Sequence, residues 1–274
     1  MRLLRVALPS ALLLLAACAA GRGGGRAAAG ARATLDVAGT PRSYRLHVPA
    51  GLDPARPVPL LLVFHGAGSD ADDVARGSGF DALAGAVPMV VAYPEALDGR
   101  FDVAGAGSAD LRFVDALLAA LRARQAIDPR RVFASGFSNG AAFCYRLAAS
   151  RPGLLAAIAP VAGYLPPVAA TGEAVPLLHV HGSADRRVAA PALTGGPADP
   201  VATWARRNGA TRGPVVADVP GMDGLTVRSA AYAGSGPRAD ATLWLVEGED
   251  HAWPGGPGGP VSRGLLDFFR AHPR

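Results

Sequence analysis

The 274-residue chain contains no lysine, so all 27 of its basic residues are arginine. These arginines are scattered singly or in pairs, without the clustered basic stripe and interleaved aromatics that nucleic-acid binding needs. The formal charge of +5 therefore belongs to an Ala-, Gly- and Arg-rich composition and implies no nucleic-acid partner. Cysteine is almost as scarce, with only Cys18 and Cys144. No second linker and no internal repeat interrupts the chain after residue 34. The apolar run near the N-terminus is shorter than the ~20 residues a spanning helix requires.

What the N-terminus does have is the layout of a targeting segment. Arg2 and Arg5 form a positive region, Ala7 to Ala17 an apolar one, and Leu15-Ala16-Ala17-Cys18 closes it with small residues before a cysteine. That tetrapeptide resembles the lipobox of bacterial lipoproteins. The resemblance implies a signal peptide over residues 1–17 and a diacylated Cys18 as the mature N-terminus, with an ordinary signal peptide cut nearby as the alternative. The expected location is extracytoplasmic, with the N-terminal lipid as the only membrane contact. Processing would remove two positive charges, and lipidation of Cys18 would leave Cys144 with no disulfide partner. Residues 18–33 read as the lipidated cysteine and a flexible Ala/Gly/Arg tether. One domain is expected over residues 34–274.

Within that domain, short apolar runs alternate with helical stretches. Strands are expected at Tyr44 to Val48, Pro59 to Phe64, Met89 to Ala92, Arg131 to Ala134, Leu155 to Val161, Leu177 to His181 and Thr242 to Val246. Helices are expected at Ala109 to Gln125, Asn139 to Ala149, Val201 to Arg207 and Ser262 to Ala271. Strands that are apolar throughout and separated by helices predict an α/β fold with a mostly parallel central sheet and helices on both faces. Reactive groups in such sheets collect at the carboxyl ends of the strands.

Gly136-Phe137-Ser138-Asn139-Gly140 is a G-x-S-x-G pentapeptide between an expected strand and helix, the setting of a nucleophile elbow. His65-Gly66-Ala67-Gly68 follows the third strand. Oxyanion donors in such a site come from this loop and from the residue after the nucleophile, which makes the Ala67 and Asn139 N–H groups the candidates. His65 is expected to hold the loop. The chain order Ser, Asp, His places the acid at Asp185 in HGSAD and the base at His251 after TLWLVEGED, giving an α/β-hydrolase arrangement. Glu249 and Asp250 adjoin His251, but an adjacent residue rarely reaches the imidazole nitrogen distal to the reacting one. Trp253 could wall the acyl pocket or pack the histidine loop. His179-Val180-His181 puts two imidazoles on one strand face near Asp185, a pattern zinc hydrolases use, but a third ligand is missing and strand-end packing is the simpler reading. Cys144 reads as a small buried hydrophobe. No metal or organic cofactor is expected.

Taken together, HGAG, GFSNGAAFCYRLA, AAIAPVAGY, LLHVHGSAD, VATWARRNG and LWLVEGEDHAWPGG resemble the esterase family of poly(3-hydroxybutyrate) depolymerases and related lipoproteins, with feruloyl and acetylxylan esterase relatives. The resemblance covers about residues 34 to 274 and implies a Ser138, Asp185, His251 triad acting on carboxylic esters through an acyl-enzyme. It departs from the family at Ala141, where another glycine is frequent, and at Arg186 and Arg187 in the acid loop. No appended substrate-binding domain is expected after the final helix, so a hydroxyalkanoate oligomer or a soluble aryl or acetyl ester is expected rather than a solid polyester. Two other classes fit less well. A serine peptidase of this fold usually carries a large gating domain, and a non-catalytic surface lipoprotein would be expected to have lost a triad or oxyanion position.

Overall fold

The computed structural model describes residues 30–169, 172–196 and 199–274. The expected signal peptide, Cys18 and the expected tether up to residue 29 lie outside the described residues. In chain order the elements are β1 (Ala31–Val37), β2 (Thr40–His47), β3 (Val58–Phe64), α1 (Ala71–Ser78), α2 (Phe80–Ala84), β4 (Val90–Pro94), α3 (Ala109–Arg122), β5 (Ile127–Phe137), α4 (Asn139–Ser150), β6 (Ala157–Val161), β7 (Leu177–Gly182), α5 (Pro200–Arg207), β8 (Arg212–Asp218), β9 (Val227–Ala233), β10 (Ala241–Val246) and α6 (Pro260–Ala271).

Among the described residues the ten strands form one sheet in the order β1-β2-β4-β3-β5-β6-β7-β10-β9-β8. The six central strands, β4 to β10 in that order, run parallel. Each edge is finished by an antiparallel pair. Alternation explains why the central strands are apolar throughout. Leu60, Leu62 and Phe64 of β3 enter one core, whereas Leu61 and Val63 enter the other. The first core is roofed by Leu117 of α3, Phe143 of α4 and Trp204 of α5; the second by Val74 of α1, Phe80 of α2 and Leu265 of α6. Fully burying each such leucine contributes roughly 1.5–3 kcal/mol, so the two faces together supply the stability that a disulfide-free domain needs.

Three of the helices start where short polar side chains occupy the orphan amides. Asp70 accepts from the Asp73 N–H at α1, Ser108 from the Leu111 N–H at α3, and Asp199 from the Val201 and Ala202 N–H groups at α5. Two expectations need correction. Among the described residues the first strand, β1, starts at Ala31, ahead of the expected domain start at residue 34, because Ala31 to Ala33 pair with Tyr44 to Leu46. The sequence pattern also omits α1, α2 and the β8–β9 pair. Cys144 is fully buried, and burial pushes its thiol well above the usual range.

Candidate active site

Ser138 stands between β5 and α4 with φ 54° and ψ −112°, a strained conformation for any residue other than glycine. It occupies the N-cap position, where a serine normally turns its hydroxyl onto the helix amides, but here it makes no such bond. The strain instead presents Oγ to His251. The two motif glycines are needed for close approach. A Cβ on Gly136 would lie 2.7 Å from the Gly140 backbone, and one on Gly140 would lie 2.2 Å from the Phe64 carbonyl oxygen. A Cβ on Gly163 would meet the Ala141 methyl at 2.3 Å, so the extra methyl at Ala141 is accommodated by a glycine across the gap.

Adjacent parallel strands deliver the other two groups. Gly182 of β7 is in register with Val246 of β10, so the loops carrying Asp185 and His251 leave the sheet side by side. They are joined by bonds from the Ser183 N–H to the Val246 carbonyl and from the Ala184 N–H to the Glu249 carbonyl. Their approach leaves no space for a side chain at Gly182, whose Cβ would lie 2.2 Å from the Glu249 oxygen. His251 Nε2 is 2.9 Å from Ser138 Oγ, and His251 Nδ1 is 2.7 Å from Asp185 Oδ2. The Asp185 side chain is fully buried. Burial pushes its carboxyl up, but the Val188 N–H, His251 and the Arg187 N–H outweigh that and hold it below the usual range. Asp250 accepts from the His251 backbone N–H at 2.8 Å and pairs with Arg186 at 2.8 Å, so it braces the loop without touching the ring nitrogens.

The His65-Gly66-Ala67-Gly68 segment makes a tight turn closed by the Ser69 N–H on the Gly66 carbonyl, with Gly68 at φ 74°. The turn lies against the elbow: a Cβ on Gly66 would be 3.6 Å from that of Ser138. His65 Nδ1 donates to the Gly66 carbonyl at 2.7 Å and its Nε2 accepts from the Ala96 N–H at 3.1 Å, so this buried ring holds the loop. Ala67 is exposed at the crown of the turn, and Asn139 opens α4, where its N–H has no acceptor one turn back in the helix. The structure thus gathers Ser138, Asp185, His251, Ala67 and Asn139 at the carboxyl ends of the strands.

Sequence reasoning missed what the Asn139 side chain does. Its amide oxygen accepts from the Phe101 N–H at 2.8 Å and its amide nitrogen donates to the Phe101 carbonyl at 3.2 Å, pinning the 97–107 loop to the elbow. The same loop is held by Arg146, which donates to the Val103 and Pro167 carbonyls, and by the buried Arg42–Asp110 pair. Arg146 was detectable as the only charged residue in α4. A cavity of about 260 Å³ adjoins the triad, lined by Gly66, Ser69, Val74, Phe137, His251 and Trp253. Trp253 both walls this cavity and packs the histidine loop, edge-on to Phe80 and bonded through Nε1 to Ser262 Oγ. A larger cavity of about 660 Å³ lies at the opposite end of the sheet, lined by residues including Leu52, Arg56, Arg131 and Arg270, and holds no triad residue. Among the described residues no group of three or more His, Cys, Asp or Glu side chains converges as a metal site would. His179 and His181 instead bond to each other.

Residues 42–187 match the family described as Esterase PHB depolymerase. The protein NocK of Nocardia uniformis subsp. tsuyamanensis, an esterase by name, is 34% identical over 260 residues, covering 80% of this chain and 73% of its own length. The bifunctional acetylxylan esterase/xylanase XynS20E of Neocallimastix patriciarum is 32% identical over 150 residues, 54% of this chain but only 22% of that longer protein. Among solved structures, the acetyl xylan esterase of Aspergillus awamori superposes with a TM-score of 0.68 at 15% identity, covering 88% of this chain and 99% of that one, which shows a shared α/β-hydrolase fold. The chain belongs to the Esterase PHB depolymerase family and is a carboxylic ester hydrolase.

Proposed function

We propose that hydrolysis proceeds through an acyl-enzyme on Ser138, with His251 as general base and Asp185 as the acid that fixes its tautomer. The unbroken chain from Ser138 Oγ through His251 to Asp185 Oδ2 carries this reading. His251 takes the Ser138 proton as Oγ attacks the ester carbonyl, and the Ala67 and Asn139 N–H groups receive the developing oxyanion. The proton passes from His251 to the departing alcohol. Water then enters by the same route, giving up a proton to His251 as its oxygen attacks the acyl carbon, and His251 returns that proton to Ser138 Oγ as the acyl–oxygen bond breaks.

The substrate class we infer is a soluble ester of short acyl units, of which a hydroxyalkanoate oligomer is the leading example. The compact cavity beside Ser138, with the His65–Ser69 turn on one side, suits short units entered end-on. An aryl or acetyl ester is the second reading, favoured by the Phe137 and Trp253 rings that line the same cavity. Hydrolysis of 3-hydroxybutyrate oligomers and of methyl ferulate by the same preparation, with Ser138→Ala as blank, separates the two. Faster turnover of the oligomers supports the first and faster turnover of ferulate the second. We further propose that Cys18 is lipidated and anchors the enzyme outside the cytoplasm. Acyl mass on the N-terminal peptide, lost in Cys18→Ala, is the expected result, whereas an unmodified Cys18 in membrane fractions would contradict it.

A further inference from the structure

Behind Asp185 a line of buried polar groups runs away from the substrate side. His181 Nε2 lies 3.0 Å from Asp185 Oδ2, the same oxygen that meets His251, and 3.0 Å from the Val188 carbonyl. His181 Nδ1 lies 2.9 Å from His179 Nε2, and His179 Nδ1 lies 2.8 Å from the Tyr145 hydroxyl. The two imidazoles stack at 11° with 5.2 Å between centroids, and Trp204 closes the far end edge-on to Tyr145. Tyr145, His179 and His181 are all fully buried.

The direction of every hydrogen bond in this line follows from its acid end. His181 Nε2 faces two groups that can only accept, so it carries the hydrogen. A neutral His181 then accepts at Nδ1, which requires the hydrogen of His179 to be on Nε2. His179 accepts at Nδ1 in turn, and the Tyr145 hydroxyl donates. Burial favours the neutral form of both imidazoles, and their mutual repulsion adds to it for His179. Asp185 then receives three hydrogen-bond donors, the Arg187 and Val188 N–H groups on Oδ1 at 2.8 and 2.9 Å and His251 on Oδ2, while His181 Nε2–H, bonded to the Val188 carbonyl, stands 3.0 Å from Oδ2. Val188 thus ties the two together, its N–H on Asp185 and its carbonyl on His181, and the donors on both oxygens leave the ionised carboxylate one orientation.

We propose that Tyr145, His179 and His181 form a one-way hydrogen-bond chain that positions Asp185 for His251. This rests on reading Asp185 as the acid of the triad. Packing alone does not account for the chain, since two apolar side chains would fill the space without burying four ring nitrogens. Tyr145 sits seven residues beyond Ser138 on α4, so the helix that begins at the nucleophile also supplies the outer end of the support for the acid.

The test uses the full chain in detergent, with a soluble ester as probe. His181→Phe keeps a ring but removes the Nε2–H that bonds Val188 and faces Asp185. The expected result is a fall in kcat of roughly ten- to a hundredfold, the scale of one hydrogen bond to a charged group, with KM within about twofold. His181→Gln, whose amide nitrogen can reach the Nε2 position, should recover at least about fivefold of that loss. Tyr145→Phe should lower kcat by only about two- to fivefold. In the wild-type protein, nitrogen NMR should find His179 and His181 neutral with the hydrogen on Nε2. A folded His181→Phe with unchanged kcat, equal losses in His181→Phe and His181→Gln, or an imidazolium or Nδ1–H form at either histidine would overturn the proposal. Should His181→Phe fail to fold, Tyr145→Phe and the tautomers decide. Retained turnover in Ser138→Ala would instead remove the nucleophile reading, so the two failures are distinguishable.

Discussion

Two aspartates flank His251, and both are held below the usual carboxylate range by different means. The Asp185 side chain is fully buried and is kept ionised by three hydrogen-bond donors against the pull of burial. Asp250 is half-exposed and falls to about 2 through its hydrogen bonds to the Arg186 guanidinium and the His251 N–H. Asp250 adjoins the histidine in sequence, yet only Asp185 meets an imidazole nitrogen. A depressed carboxyl therefore does not by itself single out the acid we propose for the triad. What distinguishes Asp185 is that its free direction ends on the ring.

Breaking the comparison at its stronger side should have the largest effect. Asp185→Asn leaves the side chain's shape but presents an amide to His251 Nδ1, favouring the wrong tautomer; kcat should fall by roughly 10⁴-fold with the fold intact by circular dichroism. Gly182→Ala should come next. A methyl there meets the Glu249 carbonyl, forces the acid and histidine loops apart, and should reduce kcat by roughly 10²-fold, as expected for a displacement on the order of 1 Å at a reacting centre.

Acidification should weaken the acid side through stability. His179 and His181 are neutral in the fold because burial lowers their proton affinity, but in the unfolded chain they take up protons below about 6.5. The stability they contribute is thus complete above that pH and is lost as the pH falls toward their depressed folded values. The slope is at most ~1.4 kcal/mol per pH unit for each ring. Denaturation midpoints measured between about pH 7.5 and 5.5 should decline accordingly, and a flat profile would contradict the neutral pair.

The exposed side should be nearly silent. Asp250→Asn or Arg186→Ala removes a solvent-screened pair and should change kcat/KM by no more than about threefold. The same small result in 1 M salt would sharpen the contrast with Asp185.

Much of this site was legible because its residue types are demanded by local geometry. The elbow glycines are required where β5, α4 and β3 touch, and chain order separates Asp185 from Asp250 without coordinates. The central strands were legible too, since VPLLLVF is apolar on both faces for the reason that two cores meet it. The β8–β9 pair was not. Its Val215 and Val216 are exposed at the sheet edge beside a Gly-Pro step, so apolar residues there do not report burial. Helix α1 has eight residues, among them Asp72, Asp73, Arg76 and Gly77, too few apolar positions for a clear period. Nor was the chain behind Asp185 legible in full. The His179, His181 alternation places both rings on one face, but only the packing of α4 on the sheet brings Tyr145 to them.

The most direct test of the central claim is intact-mass and peptide mapping after a fluorophosphonate probe, applied to wild type, Ser138→Ala and Asp185→Asn. The expected result is one adduct on Ser138 in wild type, none in Ser138→Ala, and much slower labelling of the same serine in Asp185→Asn. An adduct at another residue, or a folded and active wild type in which Ser138 stays unmodified, would contradict the assignment.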